Sequence, residues 1–181
     1  VLHKKEVQNE KLIFVLPSQR ASVFLKSELI NQLSTASFLP QIISIENYIQ
    51  DLAGIKQLDT IQLLFEFYSI YQTHTEKSEV DSFDVFSQWA TIVLQDFNEV
   101  DRNLLDSKDL FTYLRDINRL KDWTPTTSIS KKYFSFFEKL HLYYEQFYSY
   151  LISKKKGYQG LIYREAESNI HHYINNNLDK H

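Results

Sequence analysis

The sequence predicts a mainly α-helical protein with a small α/β element, and three observations predict it. Glycine and proline are scarce, with three of each, while 12 tyrosines and 13 phenylalanines supply bulky apolar packing. That balance favours long helices over a many-turned β fold. Two short runs of β-formers flank a helical segment near the start of the chain, and from Ser44 onward apolar residues recur at helical spacings.

The run KLIFVL, Lys11 to Leu16, ends at Pro17 and has the pattern of a buried strand. Ser18 is placed to cap the helix that follows, whose stripe is Ala21, Phe24, Leu25, Leu29 and Leu33. Pro40 breaks the chain before a second short run, Gln41 to Ile43. Strand, helix and strand in this order indicate a βαβ unit with parallel strands. A two-stranded sheet is not stable alone, so its remaining strands are expected elsewhere.

Ser44 is expected to cap the next helix and Gly54 to close it. Asp59 with Gln62 has the spacing of a capping box, and Ile61, Leu64, Phe65, Tyr68 and Tyr71 form the predicted stripe behind it. THTEKSEVDS reads as a linker. Phe86, Trp89, Ala90, Val93, Leu94 and Phe97 mark a strongly amphipathic helix, and Leu110, Phe111, Leu114 and Ile117 another after a Ser107 cap. Trp123-Thr-Pro125 stops it. A long helix from about Ser130 to Lys154 should bury Phe134, Phe137, Leu140, Tyr144, Phe147 and Leu151, with Gly157 as its C′ residue. A last helix is expected from about Leu161 to Leu178.

Composition narrows the function classes. At 181 residues and 43% hydrophobic, the chain can bury a substantial core. A formal net charge of -3 gives no global attraction to polyanions, so any nucleic-acid contact must be local or supplied by a partner. Cysteine is absent, which removes disulfides, zinc-thiolate sites and thiol nucleophiles and fits a cytoplasmic setting. No apolar run approaches the roughly 20 residues of a membrane-spanning helix, and the opening residues lack a signal-peptide core, so no membrane association is expected. Methionine is missing even at position 1, where Val1 stands, so the chain reads as a fragment.

Motifs that carry chemistry are not found. A phosphate-cradling loop needs glycines, yet Gly54, Gly157 and Gly160 begin no such motif, and the turn after the first strand reads LPSQRAS. A Mg²⁺-dependent nuclease of the PD-(D/E)XK kind needs Glu-x-Lys or its Gln equivalent, which does not occur. Asp106-Ser107-Lys108 has an alternative spacing but sits at a helix start, where capping accounts for it. In QDFNEVD, Asp96, Glu99 and Asp101 form the densest acidic group; as a calcium loop it fails because Val100 and Asp101 occupy a ligand position and the glycine position. A solvated helix end is the expected reading. The six histidines have no metal spacing, and no glycine-flanked serine forms a nucleophile elbow. No catalytic residue, metal site or cofactor is therefore expected within this chain.

Two basic features remain. Arg20, with Gln19 beside it, follows the first strand at a helix amino terminus, where α/β folds bind anions; a plain surface arginine is the competing reading. Lys154, Lys155 and Lys156 precede a GxxG, Gly157 to Gly160, of the kind used by RNA-binding KH domains, although a helix C-cap followed by a turn accounts for it better.

Four segments carry a family resemblance. FVLPSQRASVFLKSEL (Phe14 to Leu29) resembles the strand, Pro-x-(Lys/Gln)-Arg-Ala-Ser turn and helix that open AddB-type proteins of Bacteroidetes-like bacteria. ISIENYI resembles their next helix start. The block from Phe83 to Ile117 is similar to their long signature, with Trp89, Asp96, Phe97 and Asp101 in place, and Pro17 belongs to the opening turn. GYQGLIYRE resembles a later turn and helix. Gln19 departs from the family, where a second basic residue is common, and the stretch after Trp123, residues 122–131, is shorter than usual.

The resemblance implies a subunit in which a superfamily I helicase has lost its ATP site and is joined to a carboxy-terminal PD-(D/E)XK nuclease. Such subunits repair double-strand DNA breaks together with an active helicase-nuclease partner. On that basis residues 1–58 would be the βαβ part of a helicase-like first lobe, contributing to a partial parallel sheet, and 59–181 a helical insertion subdomain. The chain would be non-catalytic, with a structural or DNA-guiding role through Gln19, Arg20 and Lys154 to Lys156, and any Mg²⁺ would serve the nuclease of the parent protein. The alternative is a helical module that docks the partner helicase.

Overall fold

The computed structural model describes residues 12–33, 38–120 and 128–176, without the side chains of 115, 117–120, 128–138, 173 and 176. The protein is mainly α-helical with small parallel β elements. It divides into two compact units, Val1–Gly54 with Glu165–His181 and Ile55–Arg164.

In the first unit, β1 (Ile13–Leu16) and β2 (Gln41–Ser44) pair in parallel with Ile13 opposite Gln41 and Leu16 opposite Ser44. Between them runs α1 (Gln19–Gln32), started by Ser18, whose side chain accepts from the Ala21 N–H at 3.2 Å. This is the βαβ order read from the sequence; Lys11 lies outside the described residues. Ser44 closes β2 and caps α2 (Ile45–Ala53) by accepting from the Asn47 N–H, and Gly54 ends that helix at φ 67, in the left-handed region that suits glycine.

The expected α1 stripe is covered only in part: Ala21, Leu25 and Leu29 are half-buried, and Phe24 and Leu33 are exposed. Phe24 is 71% exposed, Val23 and Ile30 are exposed as well, and the residue α1 buries is Ser22. On β1, Phe14 and Val15 point to opposite faces and both are exposed. A two-stranded sheet offers too little surface to cover a helix face, so periodicity correctly marked the helix and overstated its core.

The second unit is built on aromatic packing. It begins with the short strand β3 (Lys56–Gln57), followed by α3 (Thr60–His74) and α4 (Phe83–Arg102). α5 (Ser107–Leu120) and α6 (Ser128–Lys154) follow, then β4 (Lys156–Gly157) and the start of α7 (Gln159–Asn176), whose residues from Glu165 onward count with the first unit. The capping box at Asp59 is present with both of its hydrogen bonds, Gln62 N–H to Asp59 Oδ1 at 2.8 Å and Asp59 N–H to Gln62 Oε1 at 3.2 Å. The α5 start is capped by Asp106, which accepts from the Asp109 N–H at 2.9 Å, so Ser107 is the first helical residue and not the cap. Trp123, Pro125, Leu178 and the side chains of Ile117, Phe134 and Phe137 lie outside what is described.

Phe67 lies at the centre of this unit with no exposure, its ring 5.0 to 6.4 Å from those of Phe86, Trp89, Phe97, Tyr143 and Phe147. Aromatic pairs at these separations add about 0.5–1.5 kcal/mol each beyond their area burial. The α4 face is buried as its periodicity predicts, through Phe86, Ala90, Val93, Leu94 and Phe97. α3 is turned from expectation: Tyr71 is buried as expected, but Leu63 and Phe67 are buried beside it, Leu64 and Tyr68 are half-buried, and Ile61 and Phe65 are exposed. Aromatic residues occupy both faces of α3, and the partners on α4 and α6 decide which one goes inside. The segment after α3 is also more than a linker. Thr75 is buried with its hydroxyl 2.9 Å from that of Tyr143, and Tyr71 donates to the Glu79 carbonyl and accepts from the Asp81 N–H.

Candidate functional site

The sequence nominated two basic surfaces and a signature centred on α4, and the structure places them differently. Pro17 lies exposed in the bend after β1, and Gln19 and Arg20 are exposed in the first turn of α1. Parallel β1 ends at Leu16, so Arg20 stands just beyond the carboxyl end of a strand in a sheet. In open α/β sheets that is the edge where ligands bind. Ser18 already accepts from the Ala21 N–H and so satisfies one of the helix's free donors.

Lys154, Lys155 and Lys156 belong to the other unit and are all exposed. Lys154 is the last residue of α6, with its Nζ 5.7 Å from the Tyr150 ring centroid, a cation–π distance. Lys155, and not Gly157, turns the chain out of the helix, at φ 53. Its carbonyl accepts from the Lys56 N–H at 3.0 Å, and the Gly157 carbonyl accepts from the Leu58 N–H at 2.9 Å. β4 therefore pairs in parallel with β3, with Lys156 opposite Lys56. The expected C-cap glycine is thus a buried strand residue, because that pairing needs the turn to come earlier.

The signature residues of α4 mostly face inward. Trp89 is half-buried and packs edge-on against Phe67, Tyr71 and Phe86, and Phe97 is fully buried against Phe67, Phe111 and Tyr144. Asp96 and Glu99 are exposed. Asp101 has no exposure at all, which corrects its reading as part of a solvated helix end.

A buried carboxylate is costly unless it is paired and hydrogen-bonded, and Asp101 is both. Its Oδ1 accepts from the Tyr144 hydroxyl and, at 2.7 Å, from Arg164 Nε; its Oδ2 accepts from the Tyr158 hydroxyl. Arg164 also donates through Nη2 to the carbonyls of Val100 at 3.2 Å and Leu105 at 2.6 Å. Burial, and then the neighbouring Asp101, raise the Tyr144 and Tyr158 hydroxyls well above their ordinary value, which keeps both as donors. Chemically this is a satisfied network that joins α4, α6 and the start of α7.

Spacing shows why sequence reasoning missed it. Asp101 continues the apolar register of α4 one helical turn beyond Phe97, so it falls on the buried stripe. That phase was the available signal. Among the described residues, no group of three or more His, Asp, Glu or Cys side chains is placed to hold a metal ion, and no helix is long and apolar enough to cross a membrane. His3 and His181 lie outside the described residues. No protein-family model, curated protein or solved structure matches the chain.

Proposed function

We propose that this chain is a non-catalytic, helicase-like scaffold region of a DNA double-strand-break repair subunit of the AddB type, with a DNA-guiding role. The observation that carries the reading is the position of Arg20, exposed at the start of α1 directly beyond the carboxyl end of parallel β1. A helix amino terminus favours anions, and a guanidinium matches phosphate geometry. The resemblance of Phe14 to Leu29 and of Phe83 to Ile117 to that family supports the same reading. In this account Gln19 and Arg20 position a phosphate backbone and carry no sequence information. The active helicase-nuclease partner and the nuclease's Mg²⁺ would supply the chemistry.

Titration of labelled duplex DNA with the chain and with Arg20→Ala, followed by fluorescence anisotropy across a salt series, tests it. The substitution should weaken binding uniformly across sequences and reduce the salt slope by about one. An unchanged slope would remove Arg20 from the account.

The second reading, a module that docks a partner helicase, is favoured by the exposure of Phe14, Val15, Val23 and Phe24 in the βαβ element. Tight partner binding without any DNA binding would select it.

A further inference from the structure

We infer that the surface formed by β3, β4 and the outer face of α3 is a docking site for an acidic protein segment carrying an apolar side chain, separate from any DNA contact at Arg20. Parallel pairing sets Lys56 opposite Lys156, and both are exposed. Like charges directly opposite one another in a ladder repel. Lys155 joins α6 to β4 in a backbone conformation that L residues rarely adopt, so exposed lysines run consecutively into this pair from Lys154. Among the described residues, Lys56, Lys155 and Lys156 have no carboxylate partner. Local conflicts of this kind are expected where a surface is kept for a ligand.

A notch of mixed character, apolar at Leu58 and Phe65, lies beside Lys156. A cavity of about 200 Å³ is lined by Leu58, Gln62, Phe65, Glu66 and Lys156. Phe65 is 57% exposed, and its ring is held in place by stacking on Phe83 at 4.8 Å and 5°. Ile61 stands one turn away on the same face of α3, 67% exposed.

The walls set what can enter. Glu66, whose carboxylate is held in the notch by the Tyr150 hydroxyl at 2.6 Å, repels phosphate and carboxylate alike, so the group that enters the notch must be uncharged. An acidic peptide can place its carboxylates over Lys56, Lys155 and Lys156 while an apolar side chain enters beside Phe65, which gives orientation as well as attraction.

Nuclear magnetic resonance titration of the isotope-labelled chain tests this with three probes. One is a short polyglutamate peptide with a single central phenylalanine, the second is the same peptide with alanine at its centre, and the third is oligodeoxythymidylate. The phenylalanine peptide should shift the amides of Lys56, Gln62, Phe65 and Lys156. It should also bind several-fold more tightly than the alanine peptide and weaken about tenfold in Lys156→Glu and in Phe65→Ala. Both side chains are exposed, so the wild-type spectrum elsewhere should persist. Equal binding of the two peptides, indifference to both substitutions, no peptide binding, or tighter binding of the oligonucleotide at these same amides would each overturn the proposal. None of these outcomes bears on Arg20, which lies in the other compact unit.

Discussion

Arg164 donates its Nε–H to Asp101 Oδ1 at 2.7 Å, and the carboxylate it meets is wholly shielded from solvent while the arginine side chain keeps 23% of its exposure. The pair joins the start of α7 to the end of α4, and the Tyr144 and Tyr158 hydroxyls complete the shell. Removing the acid leaves a guanidinium and two phenols without their shared acceptor. Asp101→Ala should therefore cost about 3–5 kcal/mol, measured as a shift in the denaturant midpoint. A loss below about 1 kcal/mol would mean the network is not a determinant of stability.

Gly160 is a packing requirement. Its N–H donates to Asn98 Oδ1 at 2.8 Å, and a Cβ there would lie 2.1 Å from the Asn98 carbonyl oxygen and 2.9 Å from the Arg102 nitrogen, both backbone atoms that cannot move aside. Gly160→Ala should lower stability by about 3 kcal/mol or more. Gly157→Ala meets side-chain atoms instead, Leu161 Cδ2 at 2.8 Å and Ile55 Cγ2 at 3.3 Å, and should cost less. Thermal unfolding of the two variants side by side checks the order.

What was legible in the sequence was local. The Ser18 and Ser44 caps, the Asp59 and Gln62 box and the Gly54 ending each depend on residues a few positions apart, and the parallel βαβ order follows from the succession of strand, helix and strand. What was not legible depends on distant partners. Asp101 meets Tyr144, Tyr158 and Arg164 across 43, 57 and 63 residues, and acid residues are expected outside unless such partners are known. The inward face of α3 is chosen by Phe86, Tyr143 and Phe147, since its aromatic residues permit either phase. Arg20 was placed correctly at a helix start by local pattern alone, while pairing of β3 with β4 joins segments too short to show a strand signal.

The end of α4 holds a non-glycine residue in a glycine conformation. Leu104 has φ 53; its N–H donates to the Asp101 carbonyl and the Leu105 N–H to that of Val100, the paired bonds of a Schellman ending. Replacing an L residue by glycine there relieves about 1–2 kcal/mol of steric cost, offset in part by the entropy of the unfolded chain. Leu104→Gly should accordingly raise stability by about 0.5–1 kcal/mol in chemical denaturation. A comparable loss would show that the leucine side chain matters more than its backbone angle.

High pH should unfold the second unit through its phenols. Burial pushes Tyr71 up to about 12 from an ordinary 10.0, and Tyr144 and Tyr158 are raised as well. A group raised in the folded state gives stability that is complete below its unfolded value and lost as pH climbs through the folded one. Stability should be level up to about pH 10 with respect to these groups and then fall, and Tyr71→Phe should flatten the first part of that fall. Denaturation midpoints across the alkaline range, set against phenolate absorbance, provide the check.

The central claim is that this chain guides DNA without chemistry of its own. The most direct measurement adds the purified chain to end-labelled duplex DNA with Mg²⁺ and ATP present, follows anisotropy through a salt series, and then resolves the same samples on a denaturing gel with ATP turnover assayed in parallel. The account predicts salt-dependent binding that weakens in Arg20→Ala, DNA of unchanged length and no ATP turnover. Shortened DNA, ATP hydrolysis by the chain, or no binding even at low salt would contradict it.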